Sequence, residues 1–380
     1  MRGVVDPVPV HLMGATDRAG ARRRYWRARR LARGRRGVVA VVGTLLSLLV
    51  FFALFGIFIT QYVPLWMTDN ESQFTSQAAG SLAQFKQGVD LQYTLNGPPT
   101  FGTSFTISSG GVPLFAQPTE GTLVFLPSTC PNGFYTSSTA SSPAALGQPV
   151  TPSYCVFENL TLSNGPPAQG VPTGIFFSQH VASGVLEMSL PNRYYTPQTF
   201  YFENDAVIQS QGGSQQLMLL PPPLNVTSAG GNTSVAASFL ALYGNASTVI
   251  GQGSQQVYSH LRFAQTVTSR GVTAPNQGPL FNMTFEIGTQ YPCAWQQYLR
   301  PMMAASGVPF WSNGSAAPHT SYFNWTISLT KLAAETIPVS ASACYSASGT
   351  TTVLTLRLTN VNFATVFYAA AQLDLGIGGT

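Results

Sequence analysis

The sequence predicts a mainly β protein in which an N-terminal transmembrane helix and an amphipathic helix precede a large, β-sandwich-like extracytoplasmic domain. Three observations favour this fold class. Residues 38–60 form an uncharged apolar segment. Charged residues make up only 8% of the chain, which contains 36 Gly and 27 Pro. From residue 89 onward, short segments of alternating hydrophobicity are separated by Gly, Pro, Asn and Ser, as in chains that form β-sheets.

A basic leader, residues 1–37, precedes the apolar segment. Its first 36 residues carry eleven Arg against two Asp, whereas the rest of the chain carries seven basic and eleven acidic residues. Because basic residues beside a span stay in the cytoplasm, the N-terminus is predicted to be cytoplasmic and the C-terminal domain extracellular. An arginine cluster is also typical of nucleic-acid binding. Its position directly before the span favours topology, and we expect no nucleic-acid partner.

The apolar segment, residues 38–60, is predicted to be a single-pass transmembrane helix in the cell membrane. Sixteen of its 23 residues are Val, Leu, Ile or Phe. At about 1.5 Å per residue, a helix of this length spans roughly 30 Å of lipid hydrocarbon. The apolar core is too long for a conventional cleaved signal peptide. An uncleaved signal anchor fits the pattern.

The residues at the start of the span add an alternative to the signal anchor. Arg35-Arg36-Gly37, followed directly by Val38 and an unbroken apolar helix, resembles the N-terminus of archaeal type IV pilins and archaellins. This resemblance implies cleavage between Gly37 and Val38 by a prepilin-type peptidase, with like subunits as further partners.

An amphipathic stalk helix is predicted at residues 65–88. Thr68 and Glu71 have the spacing of a capping box. Apolar residues recur at helical spacing after them, and Gly88 suits a helix stop. These apolar residues are Phe74, Ala78, Leu82, Phe85 and Val89. Pro64 is expected to separate or kink this helix from the span.

The remaining residues, 89–380, are predicted to form one β-rich domain. A short helix is expected at 292–305, with Trp295, Leu299 and Met302 on one face. The predicted strands are 89–95, 121–127, 154–162, 184–191, 198–205, 206–211, 216–222, 233–244, 280–289, 321–330, 351–361 and a last strand within 364–376.

Two segments of this domain resemble an uncharacterised archaeal pilin-like family of exported proteins. The first, residues 192–222, has an N-x-Y-Y pattern that leads through Gln, Tyr and Glu positions to a Pro pair. The second, residues 285–307, is a strand that runs into a W-x-x-Y helix. The matching positions are Asn192, Tyr194, Tyr195, Gln198, Tyr201, Glu203, Pro221, Pro222, Trp295 and Tyr298. The resemblance implies a membrane-anchored exported protein and brings no known activity.

Four cysteines follow the span, and an even number outside the cytoplasm favours disulfides. Pairing of neighbours, Cys130 with Cys155 and Cys293 with Cys344, is the simplest of three connectivities. Four free thiols are the alternative. No C-x-x-C spacing suggests a metal site.

Asn-x-Ser/Thr sequons make N-glycosylation the clearest chemical signal in the sequence. All eight lie on the predicted extracellular side, and some are expected to carry glycans, although a chain rich in Asn, Ser and Thr also yields sequons by chance. They begin at Asn70, Asn159, Asn225, Asn232, Asn245, Asn282, Asn313 and Asn324.

Enzymatic chemistry is not indicated. The four histidines are scattered, and neither a G-x-S-x-G motif nor a P-loop occurs. Glu203 and Asp205 flank Asn204 and form an acidic pair, which is expected to be a solvated turn in preference to an acid/base or Ca²⁺ site. The sequence thus predicts a non-enzymatic, pilin-like cell-surface protein with a structural or interaction role, no cofactor and no small-molecule substrate. A non-polymerising anchored adhesin or ligand-binding ectodomain is the alternative, and an anchored hydrolase is the third.

Overall fold

The computed structural model describes most of the chain after residue 40, in two compact units, Met1–Leu65 and Trp66–Thr380. The leader and the Gly37–Val38 bond lie outside the described residues. The described residues are 41–94, 100–112, 116–128, 130, 155–164, 175–212, 215–229, 232–270, 281–308, 325–331, 336–337 and 352–376.

In the first unit, residues 41–57 form an α-helix (α1) whose apolar side chains are exposed, as Leu49 shows with 64% of its surface accessible. Val41–Thr94 is helical throughout and is the one helix among the described residues that is long and apolar enough to cross a membrane. The prediction of a long apolar helix here is confirmed.

The helix continues through Pro64, so the predicted separation of the two helices at this residue is wrong. A π-helical segment, Phe58–Tyr62, immediately precedes the second α-helix (α2, Val63–Thr94), and the Val63 N–H donates to the carbonyl of Phe58. Proline lacks an N–H and its ring collides with the carbonyl four residues earlier in a regular α-helix. In the π-helical turn directly before Pro64, the hydrogen bonds run to the carbonyl five residues earlier. This wider turn relieves the clash of the proline ring, so the helix continues through Pro64.

Helix α2 runs to Thr94, beyond the predicted end at residue 88, and residues 89–94 are helical where the sequence predicted a strand. Val89 and Tyr93 extend the buried stripe at four-residue spacing, and this packing outweighs the alternating pattern of the segment. Gly88 is not a helix stop. A Cβ at Gly88 would lie 1.9 Å from the ring of Phe101, so the glycine permits the close approach of that ring.

The β-rich unit contains sixteen described strands and a third helix (α3, Pro292–Ala305), which confirms the predicted short helix. The strands are β1 Thr100–Thr106, β2 Gly121–Leu126, β3 Val156–Asn164, β4 Ile175–Ser183, β5 Val185–Leu190, β6 Gln198–Glu203, β7 Ala206–Gln211, β8 Gln215–Leu220, β9 Leu224–Ala229, β10 Asn232–Tyr243, β11 Ser247–Gly251, β12 Ser254–Arg270, β13 Phe281–Thr289, β14 Trp325–Lys331, β15 Thr336–Ile337 and β16 Thr352–Leu375.

The strands form two sheets. The six-stranded sheet has the antiparallel order β11-β2-β5-β6-β7-β8. The ten-stranded sheet contains the path β1-β12-β16-β13-β3-β4, with β9, β10, β14 and β15 attached. The 24-residue strand β16 organises this sheet because it pairs with β10, β12, β13 and β14. Its pairing with β10 is parallel, while the other described pairs are antiparallel.

Strand β16 is continuous, although the sequence predicted two separate strands within its range, one at 351–361 and one within 364–376. Six described strands, β1, β4, β9, β11, β12 and the two-residue β15, were not predicted. Strand β12 shows why: its second half is largely exposed and rich in Gln, Thr and Ser, so its alternation lacks a strong apolar face.

Helix α2 contributes its buried face to one of two hydrophobic clusters in the β-rich unit. Phe85 packs there with its ring edge-on to Phe202 of β6, at 5.2 Å between ring centroids, and also contacts Phe105 of β1. Side chains of both sheets complete this cluster. The second cluster lies around Trp295 of α3 and the strands β3, β10, β13 and β16. Helix α2 is therefore part of the core of this unit.

Candidate functional site

The turn between β6 and β7 carries the most unusual chemistry of the described residues. Glu203 pairs with Ala206, which leaves Asn204 and Asp205 as a two-residue turn with positive φ values of 47° and 56°. Asn and Asp tolerate this left-handed conformation, which a type I′ hairpin requires at both positions. Glu203, Asn204 and Asp205 are completely buried. The expectation of a solvated turn is wrong: the hairpin tip points into the protein interior.

An ion pair joins this turn to helix α2. The Nζ of Lys86 lies 2.9 Å from Oδ1 of Asp205, and both side chains are buried. Lys86 also contacts Asp90, one helical turn further along α2, at 3.1 Å. The single hydroxyl proton of Tyr93 is shared between Oδ1 of Asp90, at 2.8 Å, and Oδ2 of Asp205, at 3.2 Å. Helix α2 thus places an ammonium group, a carboxylate and a phenol around one buried carboxyl.

Two further buried carboxyl groups adjoin this ion pair. Glu203 accepts hydrogen bonds from the hydroxyl of Thr289 and, at 3.2 Å, from Nε1 of Trp295. Glu158 of β3 is 1% exposed, and neither of its oxygens has a hydrogen-bond partner among the described residues. We name Lys86, Asp90, Tyr93, Glu158, Glu203 and Asp205 the buried charged cluster.

Burial dominates the protonation of this cluster. It raises the pKa of Asp205 to about 7, although the positive charge of Lys86 acts in the opposite direction. It raises the pKa of Glu203 to about 7, against the two hydrogen bonds that this carboxyl accepts. The pKa of Glu158 lies well above its usual value, first because of burial and then because of the negative charges of Asp205 and Glu203. At least part of the cluster is therefore protonated near neutral pH.

A buried carboxylate outside this cluster, Glu71, connects α2 to the segment between β5 and β6. Its two oxygens accept hydrogen bonds from the hydroxyl of Thr119 at 2.6 Å and from the backbone N–H groups of Arg193, Tyr194 and Tyr195 at 3.0, 2.7 and 2.7 Å. Burial alone would raise the pKa of Glu71, but these hydrogen bonds outweigh burial and hold the pKa below its usual value.

The capping box predicted at Thr68 and Glu71 is absent because the helix already includes both residues. Instead of capping its own helix, Glu71 binds a chain segment more than 120 residues away. Thr68 likewise donates to the carbonyl of Tyr194, at 3.4 Å.

Residues of the two sequence segments singled out above, 192–222 and 285–307, connect different helices and strands. Asn192 donates to the hydroxyl of Thr75 on α2 at 3.1 Å. Gln198 accepts a bond from Gln209 across β6 and β7. The ring of Tyr201 packs on that of Tyr291, with centroids 4.2 Å apart.

The second half of the pattern is joined to the first through α3. Trp295 donates to Glu203, and the Tyr298 hydroxyl donates to the carbonyls of Pro222 and Leu224 at 3.4 and 3.3 Å. The pattern therefore corresponds to residues that hold the turn, α2 and α3 together, and not to an exposed site.

The structure contains the disulfide Cys130–Cys155, with 4.4 Å between the Cα atoms. Cys293, at the start of α3, is also disulfide-bonded. Cys344 lies outside the described residues.

The sequons occupy different environments. Asn225 and Asn245 are exposed, and Asn70 and Asn282 are half-buried. Asn70 donates to the carbonyl of Gly110 at 3.0 Å. Asn159 is buried and donates to Glu286 at 2.8 Å, so the described packing leaves no room for a glycan on this side chain.

Three sequon positions cannot be placed in this way. Asn313 and Asn324 lie outside the described residues, and only the backbone of Asn232 is described.

The sequence singled out the Glu203–Asp205 pair but not the residues that surround it. The sequence offered one sign of the buried ion pair. Lys86 and Asp90 are charged residues in a chain with very few charges, and they lie next to the apolar residues Phe85 and Val89 in the predicted helix. Within the described part of the chain, no group of three or more His, Cys, Asp or Glu side chains is arranged to hold a metal ion.

Comparison with known proteins adds no relative from which a site could be transferred. No protein-family model, curated protein or solved structure matches the chain.

Proposed function

We propose that this chain is a membrane-anchored cell-surface protein with a pilin-like, non-enzymatic role in structure or interaction. One observation carries the proposal: a single helical run has a fully exposed apolar segment and a segment buried in a β-rich core. The first segment suits an apolar environment and the second holds a folded domain. In this proposal the β-rich unit is a β-sandwich-like, glycosylated extracellular domain.

The exposed apolar side chains of α1 require an apolar environment such as lipid or another helix. Twelve large apolar side chains between Val41 and Ile57 are exposed. Leaving such a side chain in water instead of an apolar environment costs about 1.5–3 kcal/mol. A lipid bilayer removes this cost for an anchored monomer, and neighbouring copies of the same helix remove it in a filament.

Small residues on α1 support the filament. Space for a Cβ is open at both Gly43 and Gly56, with no atom within 4 Å. Helices that associate in apolar surroundings approach closely at such positions. The pilin-type leader that ends at Gly37 would deliver α1 as the mature N-terminal segment.

A non-polymerising adhesin or ligand-binding ectodomain is the second candidate. The observation in its favour is the set of large apolar side chains exposed on the β-rich unit, among them Ile250 at 65% and Leu217 at 52%. These two side chains lie on β11 and β8, at opposite edges of the six-stranded sheet, so each edge offers its own apolar surface to a partner.

Electron microscopy of sheared cell-surface material, with antibody against the β-rich unit, tests the proposal. We expect labelled filaments from cells that express the wild-type chain and none from Gly37→Leu, because a bulky residue at this position blocks leader cleavage. The matched variant Gly34→Leu, in the same leader, should still give filaments. If the wild-type chain is found only in detergent-soluble membranes, the pilin-like role is wrong and the anchored ectodomain stands.

A further inference from the structure

The buried ion pair between Lys86 and Asp205 holds an amine nitrogen directly against a carboxyl group. The Nζ–Oδ1 distance is 2.9 Å, and the two residues are 119 apart in the chain. Both side chains are buried, with Asp205 completely so. Groups held about 3–3.5 Å apart in fixed orientation react with effective concentrations of about 10⁵–10⁸ M.

We propose that Lys86 and Asp205 condense to an intramolecular isopeptide bond. The uncharged Nζ attacks Cγ of the protonated Asp205 carboxyl, and the new N–C bond gives a tetrahedral intermediate. One proton of the nitrogen moves to a hydroxyl on Cγ, the C–O bond breaks and one water molecule leaves. The product is a secondary amide that links α2 covalently to the β6–β7 turn, and neither an oxidant nor a co-reactant is consumed.

The neighbouring groups supply what this reaction needs. Asp90, at 3.1 Å from Nζ of Lys86, accepts the proton that turns the ammonium into the nucleophilic amine. Tyr93 donates to Oδ2 of Asp205 at 3.2 Å and stabilises negative charge on that oxygen in the intermediate.

Asp90 is placed to carry the second proton, from the nitrogen to the leaving hydroxyl. It contacts Nζ of Lys86 at 3.1 Å, and the hydroxyl of Tyr93 lies between Asp90 and Asp205, at 2.8 Å from the first carboxyl and 3.2 Å from the second. Proton transfer by a positioned carboxyl contributes about 10²–10⁴-fold to a rate. Glu158 is buried, but its two oxygens have no hydrogen-bond partner among the described residues, so it takes no direct part in this transfer.

Burial also favours the product over the ion pair. Removing two charges from water is costly, and their mutual attraction repays that cost only in part. The amide is neutral, so its formation removes both charges from the interior. Asp90 is the competing carboxyl, but it is part-exposed and lies on the same helix as Lys86. Water has access to it, and an amide with it would leave Asp205 buried without its cation.

Peptide mass spectrometry of the purified full-length chain, denatured and reduced, tests the bond. We expect resistance to trypsin after Lys86, because an acylated Nζ no longer fits the protease. A linked peptide pair should contain Lys86 and Asp205 at their summed mass less one water. A Lys86–Asp90 link, or cleavage at Lys86 with no linked pair, would overturn the proposal.

Variants separate the chemistry from folding. Asp205→Asn should still cross-link, now with loss of ammonia, and its linked peptides should have the same mass as those of the wild type. Lys86→Arg keeps the charge and should give no link. Asp90→Asn should slow linkage by about 100-fold or more, whereas Glu187→Gln, at a half-buried glutamate outside the cluster, should leave the rate unchanged. Equal rates for these two variants would refute the proton-transfer role of Asp90. The bond lies within the β-rich unit, so its presence does not depend on filament assembly.

Discussion

Replacement of Glu71 by Gln should destabilise the β-rich unit by about 2–4 kcal/mol. The carboxylate accepts four hydrogen bonds, from the hydroxyl of Thr119 and from three successive backbone N–H groups that start at Arg193. A glutamine has one acceptor oxygen and an NH₂ group. If that NH₂ group faces Thr119, whose hydroxyl can turn to accept, at least one backbone N–H is left without its partner. The charge that strengthened the remaining bonds is also lost, and hydrogen bonds to charged groups contribute about 1.5–3 kcal/mol each.

Two assays measure this effect. Chemical denaturation of the full-length chain in detergent, followed by circular dichroism, gives the change in the free energy of unfolding. Trypsin cleavage after Arg193 reports the local opening of the segment that Glu71 holds, and it should become faster in Glu71→Gln. The control is Glu120→Gln, because Glu120 is exposed and accepts only one described hydrogen bond, from Gln252. This control should change stability by less than about 0.5 kcal/mol.

The effect should also depend on pH. The pKa of Glu71 is lowered from 4.5 in the folded protein, so its contribution is present above about pH 4.5 and is lost as the pH falls through the lower folded value. The difference between the wild type and Glu71→Gln should therefore shrink in acid. Equal unfolding midpoints at pH 7, with equal cleavage rates after Arg193, would refute the role assigned to this carboxylate.

Three further predictions concern the interior of the β-rich unit. Glu203→Gln should unfold at a higher denaturant concentration than the wild type at pH 8 but not at pH 4. The pKa of Glu203 rises from 4.5 to about 7 on folding, so the wild type loses about 3 kcal/mol of stability as the pH rises through that window. A wild-type advantage at pH 8 would contradict this. Gly88→Ala should lower the melting temperature, because its Cβ would lie 1.9 Å from the ring of Phe101. The control Gly80→Ala has open space at the Cβ position and should stabilise the helix by about 0.5–1 kcal/mol. If both variants are stabilised, the ring of Phe101 moves aside freely and the reasoning is wrong. Cys130→Ser should lower the free energy of unfolding by about 3 kcal/mol, because it removes a disulfide between residues 25 apart in the sequence. Unchanged stability would mean that this disulfide does not restrict the unfolded chain.

The periodic parts of the fold could be predicted from the sequence. The apolar helix, the amphipathic face of α2, helix α3 and most strands of the six-stranded sheet follow from local hydrophobic patterns. The segment 89–95 shows the limit of such patterns, because V-D-L-Q-Y-T-L alternates like a strand yet also continues the stripe of Phe85. Only the packing of Val89 and Tyr93 against the sheets decides between the two.

The buried charged cluster could not be predicted in the same way. Glu203 and Asp205 were recognised as an acidic pair, but their burial depends on a partner 119 residues away in the chain, Lys86. Glu71 gave a misleading signal, since its spacing from Thr68 fits a local cap while its four bonds are all to distant segments. Short-range rules could not find these contacts, because the partners of Asp205 and Glu71 lie in distant segments of the chain.

The mature N-terminus tests the central claim most directly. Mass spectrometry of the chain purified from membranes and from sheared surface material should find Val38 as the first residue, since we propose that α1 is delivered by a pilin-type leader cut after Gly37. A chain that still carries residues 1–37 would contradict the pilin-like role. It would leave α1 as a signal anchor for a non-polymerising ectodomain.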